Sequence, residues 1–243
     1  QNIEDQSLLN NIQINPYCSF KPGGIYNTIT GTFSMDIDNN GCDANDFHYS
    51  DSKIVINVPS VFNATYTNTT GNYNFYTQTG NFVITPEFEH SYFTVSPASA
   101  TINFAESNGS IQTQDFCVIP NGVHNDVEIV LIPTDRARPG FNTHYKLIYK
   151  NKGNQTLSGS INLVFDDAVL DFVLADPALA NQTLNTLNWN YNTLIPFESR
   201  EIDFTLNVNS PMETPAVNIG DVLNFNASIN PISGDETMAD NTF

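Results

Sequence analysis

Positive charge is scarce in this sequence: 8 Lys and Arg stand against 26 Asp and Glu, a net charge of -18 over 243 residues. A surface this anionic repels phosphate backbones and anionic lipid, which argues against nucleic-acid binding and peripheral membrane association. The excess acid is not a tail, because residues 1–118 hold 11 acids and 2 bases and residues 119–243 hold 15 and 6. No apolar run is long enough to span a bilayer as a helix, and no charged segment leading into an apolar stretch opens the chain. Membrane insertion is therefore not expected. The 4 histidines are scattered, with no H-x-x-x-H or H-x-H spacing, and the 3 cysteines form no C-x-x-C pair, so zinc and thioredoxin-type chemistry lack support. A G-x-S-x-G elbow, a P-loop and a G-x-G-x-x-G turn are all missing, and the chain is expected to be non-catalytic.

What the sequence has is apolar and aromatic residues in a short alternating rhythm. It is 40% hydrophobic and 12% aromatic, too apolar to remain disordered, whereas only 14% is charged and Asn, Thr and Ser are abundant. That composition disfavours long solvated helices and suits strands with hydroxyl and amide outer faces. Alternating runs include Tyr26 to Ile37, Lys53 to Val58, Ser110 to Val118, Thr143 to Tyr149, Thr156 to Phe165 and Glu201 to Val208. Each half holds seven or eight such runs, the signature of an antiparallel β-sandwich. Asp176 to Asn181 alone reads as a helical turn.

The predicted fold is all-β, two tandem immunoglobulin-like antiparallel β-sandwiches. Ile119 to Asn125 combines Pro120 with Asn121-Gly122 and has no periodicity, which marks a linker. The expected organisation is an N-terminal arm or repeat end over residues 1–24, a sandwich over 25–118, the linker over 119–125 and a second sandwich over 126–243. Leu9, Ile12 and Ile14 follow a leucine-rich-repeat rhythm, equally compatible with an extended arm. Gln1 at one end and Phe243 at the other read as cuts in a longer protein.

One stretch carries chemistry: Asp36-Ile37-Asp38-Asn39-Asn40-Gly41-Cys42-Asp43-Ala44-Asn45-Asp46. Oxygen-bearing side chains at positions 1, 3 and 5, a Gly at 6 for the sharp turn and further carboxylates suit a hard cation such as Ca²⁺, which gathers six to eight oxygens. The expected ligands are the side chains of Asp36, Asp38, Asn40, Asp43 and Asp46 and the main-chain carbonyl of Cys42. Phe47 stands where an EF-hand carries its bidentate Glu, and strands flank the loop, so a structural clamp is expected rather than a sensor. Asp166, Asp167, Asp171 and Asp176 read as a solvated strand end rather than a second cation site. Trp189, in the run Leu187 to Tyr191, reads as a core aromatic rather than a sugar platform. Six Asn-x-Ser/Thr triplets, at Asn63, Asn68, Asn108, Asn154, Asn181 and Asn226, are expected from composition alone.

Four strings belong together: Tyr17-Cys18-Ser19-Phe20-Lys21-Pro22-Gly23-Gly24; Gly41-Cys42-Asp43; Asp115-Phe116-Cys117; and Arg138-Pro139-Gly140-Phe141 with Tyr145 to Asn154 after it. Over residues 17–243 the chain resembles the β-sandwich modules of flavobacterial (Bacteroidota) surface proteins exported by the type IX secretion system, often found after leucine-rich repeats. The resemblance implies an extracellular, multi-domain, non-catalytic protein at the cell surface whose modules serve as adhesin or stalk.

If the first half is extracellular, one disulfide and one leftover thiol is the natural count; three buried thiols in a cytosolic protein is the alternative. A strand over Tyr26 to Ile37 carries the chain to the pole where a last strand ends at Cys117, which favours Cys42–Cys117 with Cys18 left over. The expected partners are a surface ligand or neighbouring domains of the same protein. The rival functions are a self-assembling filament subunit, with strand edges or the Leu8-to-Ile14 arm completing a neighbour, and a carbohydrate-binding module.

Overall fold

The computed structural model describes residues 23–38, 40–58 and 61–243. Cys18, the Leu9-to-Ile14 rhythm and Asn39 lie outside the described residues. Every named element is a strand, and the chain divides into two compact units, Gln1–Gly122 and Val123–Phe243.

In the first unit the long strand β1 (Asn27–Met35) is central. Its alternate residues Ile29 and Phe33 are fully buried, as the period-2 pattern requires. The short strand β2 (Phe47–His48) pairs with its late end. The strands β3 (Lys53–Val58), β4 (Val61–Tyr66), β6 (Gly80–Glu87) and β8 (Ala100–Phe104) form a separate antiparallel sheet in the order β4, β3, β6, β8. Around β1, β5 (Asn72–Thr77) is antiparallel, whereas β9 (Ile111–Thr113) and β10 (Phe116–Pro120) run parallel to it, and β7 (Phe93–Ser96) pairs with β10. The predicted run Ser110 to Val118 is thus two strands. Between them the chain crosses against Gly31, where a Cβ would lie 1.8 Å from the Gln114 carbonyl oxygen, so only glycine fits. Phe88, just after β6, lies 5.9 Å from Phe33 and 5.5 Å from Phe93 between ring centroids and ties the two sheets together.

The second unit is a sandwich of two four-stranded antiparallel sheets. One holds β11 (Val127–Pro133), β12 (Asn142–Asn151), β17 (Ser199–Val208) and β14 (Leu170–Asp176) in that order. The other holds β15 (Asn181–Thr183), β16 (Thr186–Leu194), β13 (Leu157–Phe165) and β18 (Phe225–Asn230). The first two strands share one sheet while the third and last share the other, as in an immunoglobulin-like sandwich. Both sheets feed one core, in which Trp189 is 2% exposed, as expected, with Phe204 6.3 Å away between centroids. The predicted helical turn over Asp176 to Asn181 is not formed. Asp176 ends β14, Asn181 begins β15, and the Pro177 carbonyl in the link accepts the Trp189 Nε1 proton at 3.0 Å, a bond available only to an extended segment lying on the core. After β18 the chain turns back, and Asn241 to Phe243 run beside Ala227 to Ile229, with Phe243 N donating to Ala227 O at 2.9 Å.

The division at Gly122 falls inside the expected linker, but regular structure extends into both its ends. Ile119 and Pro120 complete β10, and the His124 backbone N–H donates to Asn154 Oδ1 at 2.8 Å in the second unit.

Candidate metal centre

Strand β1 delivers the acidic loop. Asp36 still pairs with the sheet, donating its N–H to the Val118 carbonyl at 2.9 Å, and is 2% exposed. A carboxylate buried this deeply requires partners. Its Oδ1 accepts the Asn40 N–H at 3.0 Å and its Oδ2 the Gly41 N–H at 2.9 Å, which curls the loop back over it. Gly41 has φ +95°, a left-handed conformation that suits glycine. Asp38 accepts the Asn40 N–H at 3.3 Å and the Asn40 side-chain amide at 2.8 Å. Asp46 Oδ2 accepts the Asp43 N–H at 2.6 Å, and Asp43 Oδ1 accepts the Asn45 N–H at 2.7 Å, closing the far side.

Two restraints hold the ends of this excursion. Strand β2 returns to β1 with Ser34 opposite His48 and Met35 opposite Phe47, and Ser34 Oγ lies 3.0 Å from His48 Nδ1. Cys42 is disulfide-bonded to Cys117 on β10, the pairing expected, with Cα atoms 5.6 Å apart. Because Cys117 lies opposite Ser34 in the parallel register, the bond folds the loop back beside the strand that launched it.

The result is convergence of three of the expected ligands. Asp36, Asp38 and Asp46 each place a carboxylate oxygen within 4.8 Å of the other two, the separation that contacts of about 2.4 Å to one ion allow. Asp43 is not part of this group. Asn40 touches it through its amide nitrogen, which points at Asp38, and the Cys42 side chain is committed to the disulfide.

A second acidic cluster, which the sequence reading missed, closes the second unit. Asp126, Asp235 and Asp240 also meet within 4.8 Å, with Asp126 fully buried. Burial, then the charges of Asp240 and Asp235, push the Asp126 carboxyl above its ordinary value, while Lys152 and a hydrogen bond from Thr237 oppose the rise. Lys152 Nζ sits 2.9 Å from Asp240 Oδ2 and 3.6 Å from Glu128 Oε2. Its burial works against the charge, but the hydrogen bond to Asp240 and the charges of Glu128, Asp240 and Asp126 prevail and hold it above the usual lysine value. Lys152 therefore occupies the place a counter-ion would take. Asp235 Oδ2 accepts the Val127 N–H at 2.9 Å and the Asn241 amide at 3.2 Å, so the cluster clasps the last residues to the first strand of the unit. No local spacing announces it, because its members come from opposite ends of the unit. Among the described residues, Asp166, Asp167, Asp171 and Asp176 form no such group, and Asp166 Oδ1 instead caps the Ala168 N–H at 3.1 Å.

No family model matches the chain, and no curated protein matches it in sequence. Among solved structures, the full-length RrgB pilus protein from Streptococcus pneumoniae is similar over 85% of this chain, at 9% identity and a TM-score of 0.28. The full-length major pilin SpaD from Corynebacterium diphtheriae is similar over 83%, at 9% identity and a TM-score of 0.29. A DUF3823 family protein from Parabacteroides merdae is similar over 84% of this chain and 90% of its own length, at 8% identity and a TM-score of 0.32. The chain spans 48% of the length of RrgB and 60% of that of SpaD.

Proposed function

We propose that this chain is a non-catalytic, extracellular part of a cell-surface protein, a stalk or adhesin segment whose first sandwich is stiffened by a structural Ca²⁺. The observation that carries the reading is the gathering of Asp36, Asp38 and Asp46 oxygens within 4.8 Å on a loop that a disulfide also restrains. Three converging carboxylates repel one another unless a cation or protons intervene, and a disulfide belongs to an oxidising compartment. In this reading Asp36, Asp38 and Asp46 supply carboxylate oxygens, with Asn40, Asp43 and the Cys42 carbonyl as the remaining oxygen donors from the loop. The ion's contribution is charge neutralisation and rigidity.

The test is isothermal titration of the full chain with CaCl₂ after chelation, alongside thermal melts. Heat of binding and a raised melting temperature in the wild type, both lost in Asp38→Ala, are expected. No heat and no shift in the wild type overturn the clamp. The stalk-or-adhesin role is tested separately, by displaying the chain on a cell that lacks adhesion. Attachment above the empty display favours adhesin, and its absence with an intact fold favours stalk.

A further inference from the structure

Most described bases in this acid-rich chain already sit against carboxylates: Lys53 with Glu87, Lys146 with Glu201, Lys152 with Asp240 and Arg200 with Glu198. Arg136 and Arg138, on the exposed turn between β11 and β12, make no ion pair among the described residues. The neighbouring carboxylates are held mainly by other groups, although, after the His144 hydrogen bonds, the Arg138 charge adds a last contribution to lowering Asp135. Asp135 takes the His144 ring at 2.7 Å and the His144 N–H at 2.9 Å, and Asp221 takes the Asn218 N–H at 2.7 Å.

Between these arginines and the segment linking β17 to β18 lies an open groove of about 530 Å³, with Phe141, Pro211, Ile219 and Leu223 in its walls. Phe141 is 64% exposed and Ile219 96%, a cost in water that a partner would remove. Val217, 5% exposed and part of the core, anchors this strand-free segment, so the wall is seated on the sandwich. Two guanidiniums without a direct ion pair, beside an apolar trough, suit a peptide carrying two adjacent carboxylates next to aliphatic side chains, because guanidinium binds carboxylate in a bidentate fork.

The chain contains such a peptide. Glu4-Asp5 is followed by Leu8, Leu9 and Ile12. The adjacent acid pairs at Asp166–Asp167 and Asp235–Glu236 are engaged within the second unit, where Asp166 caps Ala168 and Glu236 holds His124. The groove lies beyond the Pro133 end of β11, within the second unit. We infer that this groove binds the acidic, aliphatic N-terminal segment, residues 3–12, of a second copy of the chain, joining copies head to tail. The inference is independent of the calcium clamp.

The experiment measures fluorescence anisotropy of a labelled peptide, residues 1–16, against the full chain, and sedimentation velocity of the chain over a concentration series. The wild type is expected to bind the peptide and to associate with rising concentration. Arg136→Glu with Arg138→Glu, both on an exposed turn, weakens peptide binding at least about tenfold and removes the association. Ile219→Asp does the same from the opposite wall. A peptide carrying Glu4→Lys and Asp5→Lys regains affinity for the arginine-reversed protein, which a merely destabilised fold does not allow. A peptide that fails to bind the wild type, equal affinity for wild type and variant, or a chain that stays monomeric throughout the series overturns the inference.

Discussion

Tyr191 donates its hydroxyl to the carbonyl of Asn230 at 2.6 Å, across the point where Gly159 brings its backbone so close that a Cβ would lie 1.9 Å from the same oxygen. The first unit repeats the device: Tyr73 donates to Gln114 O at 2.6 Å, and Gly31 approaches that carbonyl. In each case a glycine lets another part of the chain press onto a strand, and a tyrosine satisfies the carbonyl there. Tyr191→Phe is expected to cost about 1–2 kcal/mol by leaving a half-buried carbonyl without its donor. Gly159→Ala costs more, about 3 kcal/mol, because backbone rather than a flexible side chain must yield. Urea denaturation monitored by Trp189 fluorescence measures both.

The same tyrosine gives a test at alkaline pH. Burial first, then the neighbouring Tyr149 and Asp235 charges, push the Tyr191 hydroxyl up to about 12. A folded-state value above the unfolded one of 10.0 means that this group's stabilising contribution is complete below pH 10 and is lost as pH rises through about 12. Absorbance titration of phenolate is expected to show one fewer tyrosine ionising late in Tyr191→Phe than in the wild type.

The Cys42–Cys117 bond closes a loop of 75 residues. On the chain-entropy account such a loop contributes roughly 4 kcal/mol by limiting the unfolded chain. Reduction, or Cys42→Ser with Cys117→Ser, is expected to lower the denaturation midpoint of the first unit and leave the transition reported by Trp189 in the second unchanged.

The acidic loop separates its carboxylates into two sets that sequence alone treats as one, with Asp36, Asp38 and Asp46 gathered and Asp43 apart. Asp46→Asn removes one of the three gathered carboxylates and is expected to weaken calcium binding at least about tenfold. Asp43→Asn, outside that trio, has a smaller effect. Calcium titration of the two variants side by side reads the difference.

In the second unit the raised Asp126 carboxyl has a definite sign. Its stabilising contribution is complete below 3.8 and is lost as pH climbs through the raised folded value, because the folded chain holds the proton more tightly. Asp126→Asn is expected to gain on the wild type as pH rises from about 3 to about 6, measured by urea denaturation across that range.

The strands and the curl of the acidic loop were legible because each rests on local pattern. Ile29 and Phe33 alternate inward, and D-x-D-x-N-G places Asp36, Asp38 and Asn40 on one curl. What escaped depends on distant partners. Ser110 to Val118 reads as one strand, yet Gly31 and Gln114 meet across more than eighty residues to break it in two. The clasp of Asp126 with Asp235 and Asp240 joins the two ends of a unit, which no spacing rule reaches. Even the abundance of asparagine has a long-range reason: buried Asn151 donates to Gln155 O at 2.7 Å and Leu194 O at 2.9 Å, and buried Asn209 donates to Ala168 O and Pro215 O at 2.9 Å each.

The parallel neighbours β1 and β10 fix how the first unit bears mechanical load. Tension applied at Asn27 and Pro120 pulls these two strands in opposite senses along their length, so their hydrogen bonds are sheared together instead of unzipped one by one. Should they part, force passes from β1 through residues 36–42 and across the sulfur bridge directly into β10. The 75-residue span between the cysteines, roughly 260 Å of extended chain, stays out of the force path. The unit can therefore yield only a short length before it goes taut.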